Sequence, residues 1–166
     1  MTDILEDELP DDELVLFAHV DHDIDREQWR LAILSAGFEY GFAIETTPKG
    51  EPGARSNAVF DAVAGLWDWL DELPGPARVL CANEQVGRLF LALLTDSGKG
   101  DRPRNLARTL DVAPLCGMPE GRAAEAAFWA SHPEAERDCP LVHAAALRAV
   151  VLATLGLDAD PAATRH

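Results

Sequence analysis

The sequence is short of residues that crosslink or anchor a protein. It has 3 cysteines among 166 residues, an odd count without Cys-x-x-Cys spacing, so no disulfide framework is expected and buried, reduced thiols are the default. No apolar stretch reaches the about 18 residues of a membrane-spanning helix, so we expect no membrane span. Because no basic start precedes an apolar run, we expect no signal peptide and a cytoplasmic protein.

Positive charge is also scarce. Lys and Arg together number 14 against 29 Asp and Glu, which gives a formal net charge of -15. Such a charge opposes sequence-independent binding to duplex phosphates and favours a basic protein partner or a local basic groove. The main basic cluster is Lys99, Arg102, Arg104 and Arg108, for which neutralising nearby acids is the simpler interpretation and contact with a nucleic-acid backbone the alternative.

Two widespread catalytic signatures are missing. The segment from Ser97 to Gly100 has neither the spacing nor the strand–loop–helix context of a phosphate-binding loop. No Gly-x-Ser-x-Gly sequence is present, so a hydrolase with a nucleophile elbow is not supported.

The apolar content suffices for one domain with a real core. Hydrophobic residues make up 48% of the chain, and no long linker interrupts it. Seven of the first thirteen residues are acidic and none is basic, which predicts a flexible acidic tail over residues 1–13. We expect a single domain over residues 14–157 and a flexible C-terminal tail over 158–166. The bias toward Ala, Arg, Gly and Asp is typical of a high-GC bacterial or phage source.

Apolar runs and turn residues predict the element order β-β-β-α-β-α-(α)-α, an α/β layer with an antiparallel meander on one side. Strands are predicted over residues 14–20, 31–38, 40–47 and 78–82. Ser56 is predicted to cap a helix with Trp67 in the core and Trp69 at a partly exposed rim. Further helices are predicted over residues 84–95 and 141–155, with helical pieces near 105–110 and 122–130.

Two segments sixty residues apart carry a resemblance to a known family. Asn83 precedes Phe90-Leu91 in the first segment, and His143-x-Ala145 opens the second. They resemble the second and third signatures of the DEDDh 3'–5' exonucleases of the proofreading-subunit type, His-Asn-x-x-Phe-Asp-x-x-Phe-Leu and His-x-Ala-x-x-Asp-Ala. Gly87 and Arg148 stand where each of these signatures has an aspartate.

The family's first motif, Asp-x-Glu, is matched by Asp21-x-Asp23 at the end of the first predicted strand. Glu45-Thr46-Thr47 also resembles part of this motif, but assigning the motif to these residues leaves no room for two strands before residue 78. The resemblance implies a ribonuclease H-like α/β fold, in which a three-stranded antiparallel meander is extended by a further strand and flanked by helices.

The family uses two metal ions held by four carboxylates, with a histidine that positions or deprotonates the attacking water. The resemblance therefore makes Asp21, Asp23 and His143 the remnants of a catalytic site, with Asp21 and Asp23 as metal ligands. It makes Asn83, Glu84 and Arg148 binding residues. Because alternate residues of a strand share a face, Asp21 and Asp23 could share one ion.

Arg148 suggests a hypothesis about the missing carboxylates. On the family's pattern it lies beside Asp21 or Asp23, where its guanidinium would replace a metal cation electrostatically without activating water. Compensation by a neighbouring carboxylate is the alternative, with Glu84, Asp25 and Asp138 as the candidates. For His143, a structural role at the start of its helix is likewise the alternative to general-base chemistry.

The sequence offers two other combinations of metal-binding residues. A small His/Asp site would use His19 and His22 with Asp21 and Asp23, although strand alternation divides these residues between two faces. A zinc site would use Cys116 and Cys139 with His143 or His132.

The leading interpretation is a degenerate exonuclease-fold protein with a non-catalytic binding or regulatory role linked to nucleic-acid metabolism. It needs no cofactor, whereas an active enzyme would need Mg or Mn. One alternative is a working metal-dependent 3'–5' exonuclease with a non-standard ligand set. Another is an acidic interaction protein such as an immunity factor, antitoxin or nucleic-acid mimic. The expected partner is an unknown protein or single-stranded nucleic acid, and not a membrane.

Overall fold

A mixed sheet with helices on both faces organises the chain. The computed structural model describes residues 13–26, 28–46, 52–95, 99–100 and 102–157, and for 52–60 the backbone alone. Most of the predicted acidic tail, residues 1–12, and the predicted C-terminal tail, residues 158–166, lie outside the described residues. The elements are β1 (Leu14–Asp23), β2 (Gln28–Ser35), β3 (Gly41–Glu45), α1 (Pro52–Glu72), β4 (Ala77–Cys81), α2 (Glu84–Thr95), β5 (Leu106–Asp111), α3 (Ala113–Cys116), α4 (Pro119–Ser131), a 3-10 turn (Glu134–Glu136) and α5 (Pro140–Thr154).

The first three strands form the predicted antiparallel meander. β1 pairs with β2 from Leu16 opposite Ser35 to Asp23 opposite Gln28, and β2 pairs in turn with β3. The β1–β2 hairpin extends further than its apolar residues indicate, because the polar residues around its turn continue the ladder. This extension places Asp21 directly opposite Arg30 on the neighbouring strand.

Two parallel strands, rather than one, extend the meander. β4 pairs with β1 and β5 pairs with β4, giving the order β3-β2-β1-β4-β5. The prediction of a helical piece near residues 105–110 is therefore wrong, since β5 occupies this segment. Its Ala, Arg and Leu residues favour a helix locally, but the free edge of the buried strand β4 offers hydrogen-bond partners that outweigh this propensity. The α/β class of the prediction is confirmed.

Strand alternation divides the core between two faces of the sheet. On one face, Leu16, Ala18 and Val20 of β1 pack with the apolar residues of α1 and α2. On the other, Phe17 packs with the α5 residues Ala144 and Leu147. α1 begins at Pro52, before the predicted cap at Ser56. As predicted, Trp67 is buried, whereas Trp69 is partly buried at the rim of the core.

A buried ion pair lies at the amino end of β1. Arg78 of β4 donates from Nη2 and Nε to Oε2 of Glu13, at 2.7 and 3.1 Å. The Arg78 side chain is fully buried and that of Glu13 is 12% exposed. Glu13, at the end of the predicted acidic tail, is thus held against the sheet. Within the described segments, no helix is both long and apolar enough to cross a membrane.

Candidate functional site

The sequence-predicted site maps to the carboxyl end of β1, where three elements meet. The parallel pairing of β1 with β4 ends at Ala18 and Cys81, after which β4 leads through Asn83 into α2. The start of α5 approaches the same end of β1 from the other side of the sheet. This arrangement brings His19, Asn83 and His143 around one cleft of about 230 Å³.

A stack of aromatic rings forms one wall of this cleft. The rings of His19 and His143 are nearly parallel at 16°, with their centroids 4.5 Å apart. The indole of Trp129, on α4, lies 5.0 Å from the His143 ring. Nε2 of His143 is 2.6 Å from the carbonyl oxygen of Arg137, so this nitrogen carries the proton and donates it there. His143 therefore holds α5 against β1 and α4 as well as facing the cleft.

Burial keeps His19 uncharged. Burial lowers the pKa of His19 from 6.5 to about 4, and His143 lowers it further, while the Asp21 carboxylate opposes the shift. A neutral imidazole is a hydrogen-bonding and stacking group rather than a cation at neutral pH. The cleft wall beside α5 therefore has no positive charge from His19 to attract a phosphate.

Asp21 is paired with an arginine from the adjacent strand. Nη2 of Arg30 donates to Oδ2 of Asp21, and Nη1 of the same guanidinium lies 2.9 Å from Oδ1 of Asp138. Nη1 also donates to the backbone carbonyl of Asp138 at 2.8 Å. These two carboxylates raise the pKa of Arg30, and Arg30 lowers that of Asp138. One guanidinium thus links β1 to the segment that precedes α5.

Asp23 lies apart from this arrangement. Its Oδ1 accepts the backbone N–H of Arg26 at 3.0 Å, and its Oδ2 is 3.6 Å from Nε of the same arginine. His22, on the opposite strand face, stacks on Trp29 with centroids 4.0 Å apart. Asp23 and His22 therefore stabilise the β1–β2 hairpin locally, and the described contacts give Asp21 and Asp23 different partners.

Asn83 and Glu84 have local structural partners. The Asn83 Oδ1 accepts the backbone N–H of Val86 at 3.0 Å, which caps the start of α2. Glu84 pairs with Arg88 one turn later, and both side chains are largely exposed. Of these two predicted binding residues, Asn83 also lines the cleft.

Gly87 faces away from the ring stack. A Cβ added there would lie 3.7 Å from Cγ2 of Thr109 and 3.9 Å from Cβ of Cys81. Cys81 belongs to the core on the α1 and α2 face of the sheet, opposite His19. A side chain at position 87 would thus point at β4 and β5, so restoring the family's aspartate here directs its carboxylate toward that face.

The hypothesis that Arg148 contacts Asp21 or Asp23 is wrong. Arg148 donates from Nε to the carbonyl of Ala36 at 2.5 Å, and its guanidinium lies 4.2 Å from the centroid of the Phe38 ring. Ala36 follows Ser35, which pairs with Leu16 near the amino end of β1. At about 3.3 Å per residue, Leu16 and Asp21 are about 17 Å apart along the strand.

The register of α5 explains this difference. The α5 residues that line the cleft are His143, Ala146, Leu147 and Val150, a single helical stripe with spacings of three and four. Arg148 lies off this stripe and turns toward the amino end of β1. The family signature does not determine which way each residue of α5 faces. The helix is rich in alanine, and small side chains pack almost equally well when the helix is rotated about its axis.

The residues at this end of the sheet do not fit the family's two metal ions. Asp21 already binds Arg30, position 87 lacks a side chain, and position 148 lies at the other end of β1. Among the described residues, no three His, Cys, Asp or Glu side chains are arranged to hold a metal ion. A divalent cation at Asp21 would meet a fixed guanidinium of the same sign of charge.

The cysteines occupy three different environments. All three are free, with Cys81 buried, Cys116 partly buried and Cys139 exposed, so the expectation of buried thiols holds for Cys81. Burial raises the pKa of Cys81 to about 12 and that of Cys116 above its usual value. Cys116 shares the cleft with His143, whereas Cys139 lies in a separate cleft beside Arg30, which does not suit the proposed zinc set.

Three members of the basic cluster make local contacts, and one of these contacts is an ion pair. Lys99 is 2.6 Å from Oδ1 of Asp68, and the backbone N–H of Arg104 donates to Asp71 at 2.7 Å. Arg102 donates to the carbonyl oxygen of Ala107. The Lys99–Asp68 pair fits the interpretation that the cluster neutralises nearby acids, and the Arg104 contacts with Asp71 fasten the segment before β5 to the end of α1.

Sequence reasoning missed two residues of the site. Arg30 was absent from the predicted site because the hairpin was predicted to end at Val20 and restart at Leu31. A hairpin centred on residues 25 and 26 would have placed it opposite Asp21. Nothing in the sequence indicates that Trp129 belongs to the site, because its helix begins about forty residues after β4 and is brought to the cleft only by the fold. Comparison with protein-family models and with curated protein sequences finds no match for the chain.

Proposed function

We propose that this protein is a ribonuclease H-like, DEDDh-related domain that binds a partner and does not cleave nucleic acid. The mixed five-stranded sheet flanked by helices is compatible with that fold. The resemblance in residues 78–91 and 141–149 supports the relationship, and the site chemistry supports the loss of catalysis.

The Asp21–Arg30–Asp138 contact carries this proposal. The guanidinium occupies the carboxylate that the family resemblance assigns to a metal, and it recruits a second carboxylate from the segment before α5. The Asp21 side chain is 37% exposed, so solvent screens the pair, which contributes about 1 kcal/mol or less to stability. The positive charge of Arg30 beside the carboxylate nevertheless reduces the attraction that Asp21 would exert on a cation.

The remaining polar groups of the cleft suit recognition rather than hydrolysis. His19 is neutral, the proton on Nε2 of His143 is donated to a backbone carbonyl, and Asn83 caps a helix. Asp21 acts on the charge of His19 and Glu125 lines the same cleft, but among the described contacts no carboxylate hydrogen-bonds to His19, His143 or Asn83. The rings of His19, His143 and Trp129 instead give the cleft a stacking surface.

The charge of the chain favours a protein over a nucleic acid as the partner. The formal net charge is -15, and several members of the basic cluster are engaged with Asp68, Asp71 and a backbone carbonyl. Phosphate binding draws its free energy from clustered Lys and Arg that release counterions. We therefore propose a regulatory role exerted through protein contact, with nucleic acid as the second candidate because of the stacking surface.

Calorimetric titration with Mn²⁺ and Mg²⁺, combined with degradation of an end-labelled single strand, tests the proposal. We expect no metal-dependent degradation, and no saturable heat of metal binding that is lost in the Asp21→Ala variant. The matched variants are Asp21→Ala and Asp61→Ala, the latter removing an exposed carboxylate of α1. Degradation that requires metal and is abolished by Asp21→Ala alone would establish an active exonuclease and overturn the proposal.

A further inference from the structure

A second, apolar groove lies on the other flank of α5, between that helix and the β2–β3 turn. It has a volume of about 360 Å³ and is separate from the cleft that contains His19 and His143. Its lining consists mainly of Phe38, Tyr40, His132, Leu141, Val142 and Ala145. Two of the large apolar side chains here are well exposed, Phe38 at 50% and Leu141 at 45%.

The turn that bears Phe38 is held in a strained conformation. Phe38 has a φ of 61°, in the left-handed region that bulky residues rarely adopt. The turn is closed by the Phe38 N–H, which donates to the Ser35 carbonyl, and by the Tyr40 N–H, which donates to the Ser35 hydroxyl. Strain of this kind costs on the order of 1–3 kcal/mol, which the surrounding contacts offset.

The strain fixes an exposed ring at the groove. The Phe38 ring covers the Arg148 guanidinium at 4.2 Å, and Arg148 is anchored to the carbonyl of Ala36. This buried arginine therefore supports the ring from beneath. Arg148, which lies at the position where the family resemblance implies a metal ligand, thus supports the exposed ring of Phe38.

Three exposed acidic residues are close in sequence to residues that line the groove. Glu39 follows Phe38 in the turn, and Glu134 and Glu136 follow His132, with all three exposed. Of the nearby positive charges, Arg148 lies beneath Phe38 and is 5% exposed, whereas Arg137, next to Glu136, donates from Nη2 to the carbonyl oxygen of Trp129. An apolar groove with acidic residues close by complements a segment that has apolar side chains between Lys and Arg residues.

We propose that this groove, defined by Phe38, Tyr40, His132, Leu141, Val142 and Ala145, docks a basic, amphipathic segment of a partner protein. Two apolar side chains of the partner enter beside Phe38 and Leu141, and its basic residues face Glu39, Glu134 and Glu136. This proposal is independent of catalysis at the carboxyl end of β1, because the groove uses the opposite flank of α5. The groove predicts that the partner segment has apolar side chains as well as basic ones, whereas the excess of acidic residues predicts the basic ones alone.

Three synthetic peptides of about 14 residues, four helical turns, test the proposal with the full-length protein. The first is a Leu/Lys amphipathic helix, the second has Glu for Lys, and the third has Ser for Leu. We expect the Leu/Lys peptide to bind at least tenfold more tightly than either of the others, because it alone offers both anchors and charge. Its affinity should fall as salt is raised.

Surface variants then locate the binding. Leu141→Glu should weaken the Leu/Lys peptide about tenfold or more, whereas Leu91→Glu should leave it unchanged. Leu91 is the matched control, since it lies on α2 and is 43% exposed. Phe38→Asn provides a second variant that tolerates the positive φ, so weaker binding there cannot be ascribed to a strained turn.

Each outcome of the peptide titrations either supports the proposed groove or overturns it. Weaker binding to both Leu141→Glu and Phe38→Asn, with Leu91→Glu unchanged, supports the groove. Binding of the Leu/Lys peptide that is insensitive to Leu141→Glu, equally sensitive to Leu91→Glu, matched by the Ser/Lys peptide or absent altogether would overturn it. Thermal unfolding of each variant verifies that the fold is retained, and loss of peptide binding does not affect the test of exonuclease activity.

Discussion

The two ends of β1 use arginine in different ways. At the carboxyl end, Arg30 lies in an accessible cleft and binds the carboxylates of Asp21 and Asp138. At the amino end, Arg78 and Arg148 are buried, the first against Glu13 and the second against a carbonyl and an aromatic ring. At the carboxyl end, which we call the open end, Arg30 joins two solvent-accessible carboxylates. At the amino end, which we call the closed end, the buried arginines stabilise the sheet and support the Phe38 turn.

The largest expected effect comes from breaking the closed end. Glu13→Ala removes the carboxylate that lies 2.7 Å from the fully buried Arg78 guanidinium, so we expect the free energy of unfolding to fall by about 3–5 kcal/mol. Urea denaturation monitored by tryptophan fluorescence measures this change. The control is Glu84→Ala, which removes a largely exposed ion pair with Arg88 and should cost at most about 0.5 kcal/mol. Equal losses in both variants would contradict the assignment of Glu13 as a buried partner.

A smaller effect should appear at the open end as the pH is lowered. The folded protein keeps His19 neutral down to about pH 4, whereas the unfolded chain binds that proton near pH 6.5. Stability should therefore fall between pH 6.5 and 4 and level off below that window. After allowance for partial exposure, we expect a loss of about 2 kcal/mol.

The variant His19→Gln isolates this contribution, because acid titration of the carboxylates is common to both proteins. The difference in stability between wild type and variant should change across the window from pH 6.5 to 4. A constant difference over the whole range would show that His19 is not held neutral by the fold.

The smallest effect is expected for Asp21→Asn. Its contact with Arg30 is partly solvated, with 37% of the Asp21 side chain exposed, so we expect a loss of about 1 kcal/mol or less. Urea denaturation measures it, and Asp68→Asn, at the pair with Lys99, is the matched surface control. A loss of stability as large as that of Glu13→Ala would contradict the distinction between a partly solvated ion pair at the carboxyl end of β1 and a buried one at the amino end.

The sequence predicted those elements whose signals are local. The meander, β4, α2 and α5 follow from apolar runs and stop residues, and the limits of α2 match residues 84–95. β5 was missed because its formation depends on the edge of β4, a contact that local propensity does not encode. Arg30 was missed for a related reason, since hairpin register rather than composition sets it opposite Asp21.

The position of Arg148 shows the limit of arguing from a motif. Its spacing from His143 matches the family signature, yet the rotation of α5 turns it toward Ala36 and Phe38. Spacing along a helix specifies a face only when the packing register is known. The placement of His143 beside His19 depends equally on a tertiary contact, which no single motif contains.

The most direct test of the central claim is nuclear magnetic resonance of the His19, His143 and Trp129 ring signals during titration with Mn²⁺. Paramagnetic Mn²⁺ broadens signals close to its binding site, so it reports where the cation lies as well as whether it binds. The account predicts no selective broadening of these rings, because Arg30 already holds Asp21. Selective broadening centred on His19 and His143, removed by Asp21→Ala, would contradict it and establish a metal site at the end of β1.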